Sequence, residues 1–94
     1  MNVMVSIPTA FRRHTEGLGE LACSATALPD LLNALETRFP ELKPYLRDQE
    51  GKLRRFVNVY VNDEDIRFLG DGYQFKDGDE VTLVPSIAGG RAGF

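Results

Sequence analysis

Between Pro29 and Pro40 the chain carries its one substantial helical pattern, and that stretch restricts the fold more than any other. Leu28, Leu31, Leu32, Leu35 and Phe39 recur at three- and four-residue spacing, so they form a single apolar stripe along one helix face. A lone amphipathic helix needs an apolar surface to lie on, and the remaining sequence reads as strands. Thr26 is placed to cap the helix N-terminus, Pro29 falls in the first turn where its missing N–H costs nothing, and Pro40 ends the helix.

The strands are legible from period-two alternation. Val3, Val5 and Ile7 alternate with Asn2, Met4 and Ser6 until Pro8 stops the run. A turn region with Glu16, Gly17 and Gly19 leads to a second strand over Glu20 to Ser24, making a hairpin with a long loop. Residues 41 to 48 read as a short helical or looped excursion carrying Leu42, Tyr45 and Leu46, interrupted at Pro44. Val57, Val59 and Val61 alternate with Asn58 and Tyr60. Asn62-Asp63-Glu64-Asp65 then supplies a turn, and Ile66, Arg67 and Phe68 read as the returning strand. After the Asp77-Gly78-Asp79 turn, Glu80 to Val84 is the last strand, closed by Pro85. Strand, strand, helix, strand, strand, strand is an α+β domain with its helix across a mixed sheet.

Size and charge exclude several kinds of activity. A chain of 94 residues makes one domain that buries about 60–65% of the unfolded surface, too little for a deep catalytic cleft. The net charge of −3 argues against sequence-independent nucleic-acid binding. The only basic clusters, Arg12-Arg13-His14 and Lys52-Leu53-Arg54-Arg55, read as solvated or partner-facing patches. No apolar run reaches the length of a membrane span, and Met1-Asn2 followed by a strand is no secretory signal, so the expected location is cytoplasmic with no membrane partner. Cys23 is the single cysteine, which rules out an internal disulfide or a thiolate cage, and it suits a buried position better than a nucleophilic one. The single histidine, His14, lies in an arginine-flanked loop and reads as a surface residue. Asp63-Glu64-Asp65 and Asp77-Gly78-Asp79-Glu80 lack the spaced loop of a calcium site and read as turns. With no nucleophile, base and pocket converging, the chain reads as a non-enzyme that holds no metal and no cofactor.

Asn58 to Asn62, the Asp77-Gly78-Asp79-Glu80-Val81 turn, and above all Val84-Pro85-Ser86-Ile87-Ala88-Gly89-Gly90 resemble the MoaD/ThiS family of ubiquitin-like sulfur carriers. Met1-Asn2-Val3, Val5-Ser6-Ile7-Pro8-Thr9 and Arg55-Phe56-Val57-Asn58 are most similar to the members that serve cysteine biosynthesis. The likeness implies the β-grasp fold over residues 1 to 88, with first and last strands parallel at the sheet centre, and a flexible tail over 89 to 94. It also implies a chemistry. A free carboxylate on Gly90, presented on the slim finger of Ala88 and Gly89, is adenylated with ATP by an E1-like adenylyltransferase; sulfide or a persulfide then leaves a thiocarboxylate. The acceptor would be a cysteine-synthase-like or other sulfur-acceptor enzyme. Arg91 follows Gly90 here, so the glycine carbonyl is an amide with no carboxylate to adenylate. Cleavage between Gly90 and Arg91 by a JAMM-type metalloprotease is the expected remedy. Two other readings stay open: the small subunit of molybdopterin synthase, and a ubiquitin-like protein modifier or interaction module.

Alternation also places a partner surface. If Val81 and Leu83 face the helix, Val84, Met4 and Tyr60 face the other way, and with Ile87 they form the expected docking residues. In the family the Val84 position contacts the activating enzyme. The competing expectation is that the 41 to 48 excursion covers this sheet face.

Overall fold

A computed structural model of the chain describes residues 1–70 and 72–85. Five strands form one mixed sheet: β1 (Asn2–Ser6), β2 (Glu20–Ser24), β3 (Val57–Val61), β4 (Glu64–Asp65) and β5 (Glu80–Pro85), in the order β2-β1-β5-β3-β4. β1 runs parallel to β5, pairing Met4 with Glu80, Val5 with Val81 and Ser6 with Thr82. The other neighbours are antiparallel. The helix α1 (Leu28–Arg38) lies across one face. This is the β-grasp arrangement that the resemblance implies.

Alternation decides the two faces as the sequence indicates. Val3, Val5, Leu21, Val57, Val59, Val61, Val81 and Leu83 are buried against Leu31, Leu32, Leu35 and Phe39 of the helix stripe in one continuous core. Leu28 packs only partly against it. On the opposite face Met4 and Val84 stay exposed.

Four local expectations are corrected. Thr26 does not cap α1. Its carbonyl accepts the Phe75 N–H at 2.8 Å and Ala27 bridges to Gln74, so the chain is held extended for one residue longer. Ala27 becomes the residue before the helix, without a side-chain cap. Pro44 does not interrupt the excursion but lies at the start of a short helix, α2 (Lys43–Leu46), where proline is tolerated. Preceded by a 3₁₀ turn over Pro40–Leu42, this segment buries Leu42 and Leu46 fully within the helix-side core. Arg47 fastens it to α1: Nε lies 3.0 Å from the Glu36 carboxylate, and Nη2 donates to Asn33 Oδ1 (3.1 Å) and the Pro29 carbonyl (3.2 Å). The excursion therefore covers the helix side and leaves the far sheet face open.

The last two corrections concern Ile66 to Phe68 and His14. Asn62 and Asp63 adopt φ of 51° and 70°, the left-handed pair of a two-residue hairpin turn, which puts Glu64 opposite Val61. The Asp65 carboxylate then accepts the Arg67 N–H at 2.8 Å and starts a helical turn, α3 (Ile66–Leu69), in place of a longer strand. His14, in a 3₁₀ segment over Thr9–His14, is not a surface residue. Its ring stacks on Tyr45 at 4.6 Å, its Nδ1 lies 3.5 Å from a Glu41 carboxylate oxygen, and its side chain is 11% exposed.

Asp79 ties the turn before β5 to its neighbours. Its buried carboxylate accepts the Lys76 N–H (2.9 Å), the Tyr73 hydroxyl (2.9 Å) and the Asn62 amide (3.0 Å), while its carbonyl accepts the Met4 N–H at 3.0 Å. Burial pushes the carboxyl pKa up, but the donors from Lys76, Asn62 and Tyr73 together outweigh it and hold the group below the ordinary carboxylate range. A depressed folded-state pKa stabilises the fold above the unfolded value of about 3.9, and that stabilisation disappears as pH falls through the folded value. Asp79→Asn is expected to cost about 2 kcal/mol at neutral pH, because an amide nitrogen then faces donors. The deficit against wild type should shrink in urea denaturation repeated at about pH 3.

Candidate functional site

The expected site divides into a tail and a docking face. Ile87, Ala88, Gly89, Gly90 and Arg91 lie outside the described residues. The strand that leads to them is described. Pro85, the last residue of β5, pairs with Val57, the first residue of β3, and Thr82 pairs with Ser6 at the end of β1. The described part of β5 therefore ends at the centre of the sheet, at the same end as the loop joining β1 to β2.

One or two arginines from each basic cluster lie on segments at this end of the sheet. On one side, the turn closed by the Val57 N–H on the Arg54 carbonyl (3.0 Å) sets exposed Arg55 directly before β3. On the other, the 3₁₀ segment that follows Pro8 carries exposed Arg12 and Arg13. Arg12 is held by a 3.1 Å bond from Nε to the Ile7 carbonyl, and its guanidinium lies so close to Gly19 that a Cβ there would come within 3.0 Å of it. The sequence shows two separate basic runs. That both runs start or end at the same end of the sheet depends on the β1–β5–β3 order, which no local pattern encodes.

Met4, Tyr60 and Val84 share the open face but not a single apolar cluster. They occupy three successive cross-strand rows: Met4 beside Glu80 and Ala22, Tyr60 beside Thr82, and Val84 beside Asn58. Met4 is 42% and Val84 37% exposed, and Tyr60 is half-buried. Polar Thr82 and Ser6 lie in the middle row. Val84, one residue from the end of β5, is the last in sequence of the expected docking residues that the structure describes.

Nothing else on the described surface assembles a reactive site. Two open grooves of about 190 and 330 Å³ flank Leu53, one lined by Arg54, Arg55 and Val59 and the other by Leu28, Pro29 and Tyr73. Neither brings a nucleophile to a base. The half-buried Cys23 thiol is pushed up in pKa by burial, which Arg38 only partly offsets, so thiolate is disfavoured. No His, Cys, Asp and Glu cluster able to hold a metal occurs among the described residues. No helix among the described residues is long and apolar enough to cross a membrane.

A five-stranded mixed sheet in the order β2-β1-β5-β3-β4 with one helix across it is the β-grasp of the small ubiquitin-like proteins. The chain belongs to the ThiS family, whose model matches residues 5–90. It is 46% identical over 93 residues to the sulfur carrier protein CysO of Mycobacterium tuberculosis, spanning 96% of this chain and all of that one. Among solved structures, CysO in the BexX/CysO complex of Amycolatopsis orientalis superposes with a TM-score of 0.81 at 43% identity, covering 94% of this chain and 99% of that one. The small archaeal modifier protein 1 of Methanosarcina acetivorans gives the same TM-score at 29% identity, covering 95% and 96%.

Adjacent positions on β5 offer a direct check of the two faces. Leu83→Ala is expected to lose about 2–5 kcal/mol of unfolding free energy, whereas Val84→Asp changes it by less than about 0.5 kcal/mol. Thermal or urea melts of the two variants measure the contrast.

Proposed function

We propose that this chain is a sulfur carrier whose working group is the carboxylate of Gly90, exposed when residues 91–94 are removed. The observation that carries this reading is the extent of the likeness. Identity to CysO runs over that protein's full length, and the family match stops at Gly90, the second residue of the glycine pair. Arg91 leaves the Gly90 carbonyl an amide. A JAMM-type zinc metalloprotease cutting the Gly90–Arg91 bond supplies the missing acid.

The subsequent steps follow from carboxylate chemistry. The Gly90 carboxylate attacks the α-phosphate of ATP on an E1-like adenylyltransferase, and pyrophosphate leaves. Sulfide then displaces AMP from the acyl-adenylate and leaves a thiocarboxylate. Held on the carrier, the sulfur reaches an acceptor enzyme as a tethered nucleophile, at high local concentration and without loss as free sulfide. Cysteine synthesis is the destination favoured by the likeness to CysO, with a cysteine-synthase-like acceptor. Gly89 and Gly90 suit the approach because a backbone without side chains enters a narrow channel unobstructed.

Val84, Met4 and Tyr60 supply the docking face, and Arg12, Arg13 and Arg55 add positive charge around the exit. Val84→Asp is expected to weaken docking to the activating enzyme at least about tenfold, since a carboxylate buried without a partner costs more than 1.4 kcal/mol. Isothermal titration against that enzyme measures it. Arg55→Glu acts on the association rate, and its effect should fade as salt screens the exit.

The whole reading is tested by mass. After incubation with the protease, the activating enzyme, ATP and sulfide, the chain should lose residues 91–94 and exchange one oxygen for sulfur. The 1–94 form should release no pyrophosphate. The likeness to an archaeal modifier protein gives the alternative outcome, isopeptide adducts on protein lysines, which would replace the carrier reading.

A further inference from the structure

β2 is the outermost strand on its side of the sheet, and Glu20 at its start is the one charged side chain along its free edge. Within the described residues nothing pairs with it beyond β1. Its register with β1 is one-to-one over five pairs, without a bulge. Glu-Leu-Ala-Cys-Ser contains no lysine, arginine or proline. Natural edges usually carry one of these devices, because an uncovered row of N–H and C=O groups accepts another strand. The opposite edge differs: β4 is two acidic residues long and turns at once into α3.

The bonding parity of β2 can be read from its neighbours. The Met4 N–H reaches the Asp79 carbonyl (3.0 Å) and the Gly78 N–H reaches the Asn2 carbonyl (2.9 Å), so even-numbered residues of β1 bond towards β5. The Ile7 N–H reaches Gly19 (2.8 Å) and the Ala25 N–H reaches Met1 (2.9 Å), so odd-numbered residues bond between β1 and β2. The N–H and C=O of Glu20, Ala22 and Ser24 therefore point outwards, and all three residues are exposed.

We propose that the occupant of this edge is a second copy of the same chain, paired antiparallel through β2 about a two-fold axis at Ala22. That register sets Ala22 against Ala22, and Glu20 against Ser24 of the other copy. Each of the three opposed pairs exchanges two backbone bonds. On the open face the Glu20 carboxylate accepts the opposing Ser24 hydroxyl, and no like charges meet. On the helix face Leu21 lies opposite Cys23. Any other antiparallel register within the strand pairs fewer of the outward groups, so the sequence selects this one.

The assembly is a continuous ten-stranded sheet. The two-fold is perpendicular to that sheet, so both open faces lie on one side, with Met4 and Ala22 of each copy in a shared row across the join. β5 is third from the joined edge in each copy, and the two β5 strands point in opposite directions, so neither sheet exit is obstructed. Five residues a side make a contact smaller than the ~1,200 Å² of a standard stable interface. Dimerisation is therefore a high-concentration property.

Sedimentation equilibrium of the full chain from micromolar to millimolar concentration is expected to show a monomer–dimer equilibrium, abolished by Ala22→Lys, which sets two ammonium groups against each other. In a Cys23→Ala background, Ala22→Cys places the opposed Cα atoms about 5.5 Å apart, within disulfide reach. It should cross-link under mild oxidation about tenfold or more faster than Ser24→Cys in the same background, the advantage of a pre-aligned pair over random collision. Circular dichroism and heteronuclear NMR spectra identical to wild type establish that each variant is folded. A chain that stays monomeric at millimolar concentration, or cross-links equally at 22 and 24, overturns the proposal and leaves the edge to a strand from another protein.

Discussion

The parallel pairing of β1 with β5 is the contact from which the rest of this molecule follows. It joins residues about seventy-five positions apart and, with β3 on the far side of β5, makes both strands inner members of the sheet. The antiparallel strands on either side let this mixed sheet keep one face open, while α1 covers the other. The register is fixed at one end, where the Asp77 carboxylate accepts the Asn2 N–H at 2.8 Å and the Asp79 carbonyl accepts the Met4 N–H. A slip by one residue would turn Val81 and Leu83 outwards and Thr82 inwards. The Asp77-Gly78-Asp79 turn, with Gly78 at φ 90°, therefore does more than reverse the chain. It sets which side chains enter the core and which remain for a partner.

The two sheet faces thereby take separate tasks. The helix side collects α1, α2 and the 3₁₀ segments into one continuous core, with Arg47 clamping the excursion onto α1. The other side keeps Met4, Tyr60 and Val84 available, while arginines gather at the end where β5 leaves the sheet. Side chains of the open face can therefore be altered with little effect on packing, which separates any docking there from the stability of the fold.

Legibility followed the range of the interactions. The strands of Val3 to Ile7 and Glu80 to Val84, and the stripe from Leu31 to Phe39, were readable because their period is a local property. Cross-chain contacts defeated the local signals elsewhere. Thr26 has the chemistry of a cap, but its carbonyl is engaged by Phe75, forty-nine residues on. Ile66 to Phe68 has strand propensity, yet the Asp65 cap forces a helical turn. His14 sits among arginines in sequence and against Tyr45 in space. For the site, Met4 and Val84 were correctly placed on one exposed face, whereas the basic flanks of the tail exit required the sheet order. Gly89 and Gly90 rest on resemblance alone, since a glycine pair by itself carries little information, and they lie outside the described residues.

The central position of β5 has a consequence for biosynthesis on the ribosome. Residues 2 to 69 contain β1 to β4 and α1 to α3, yet without β5 they leave a gap in the middle of the sheet, with β1 and β3 facing each other across it. A nascent chain stalled before Glu80 thus lacks the strand that joins the two halves of its sheet. The open face and the core beneath it are completed together, by the last segment of the domain to be synthesised.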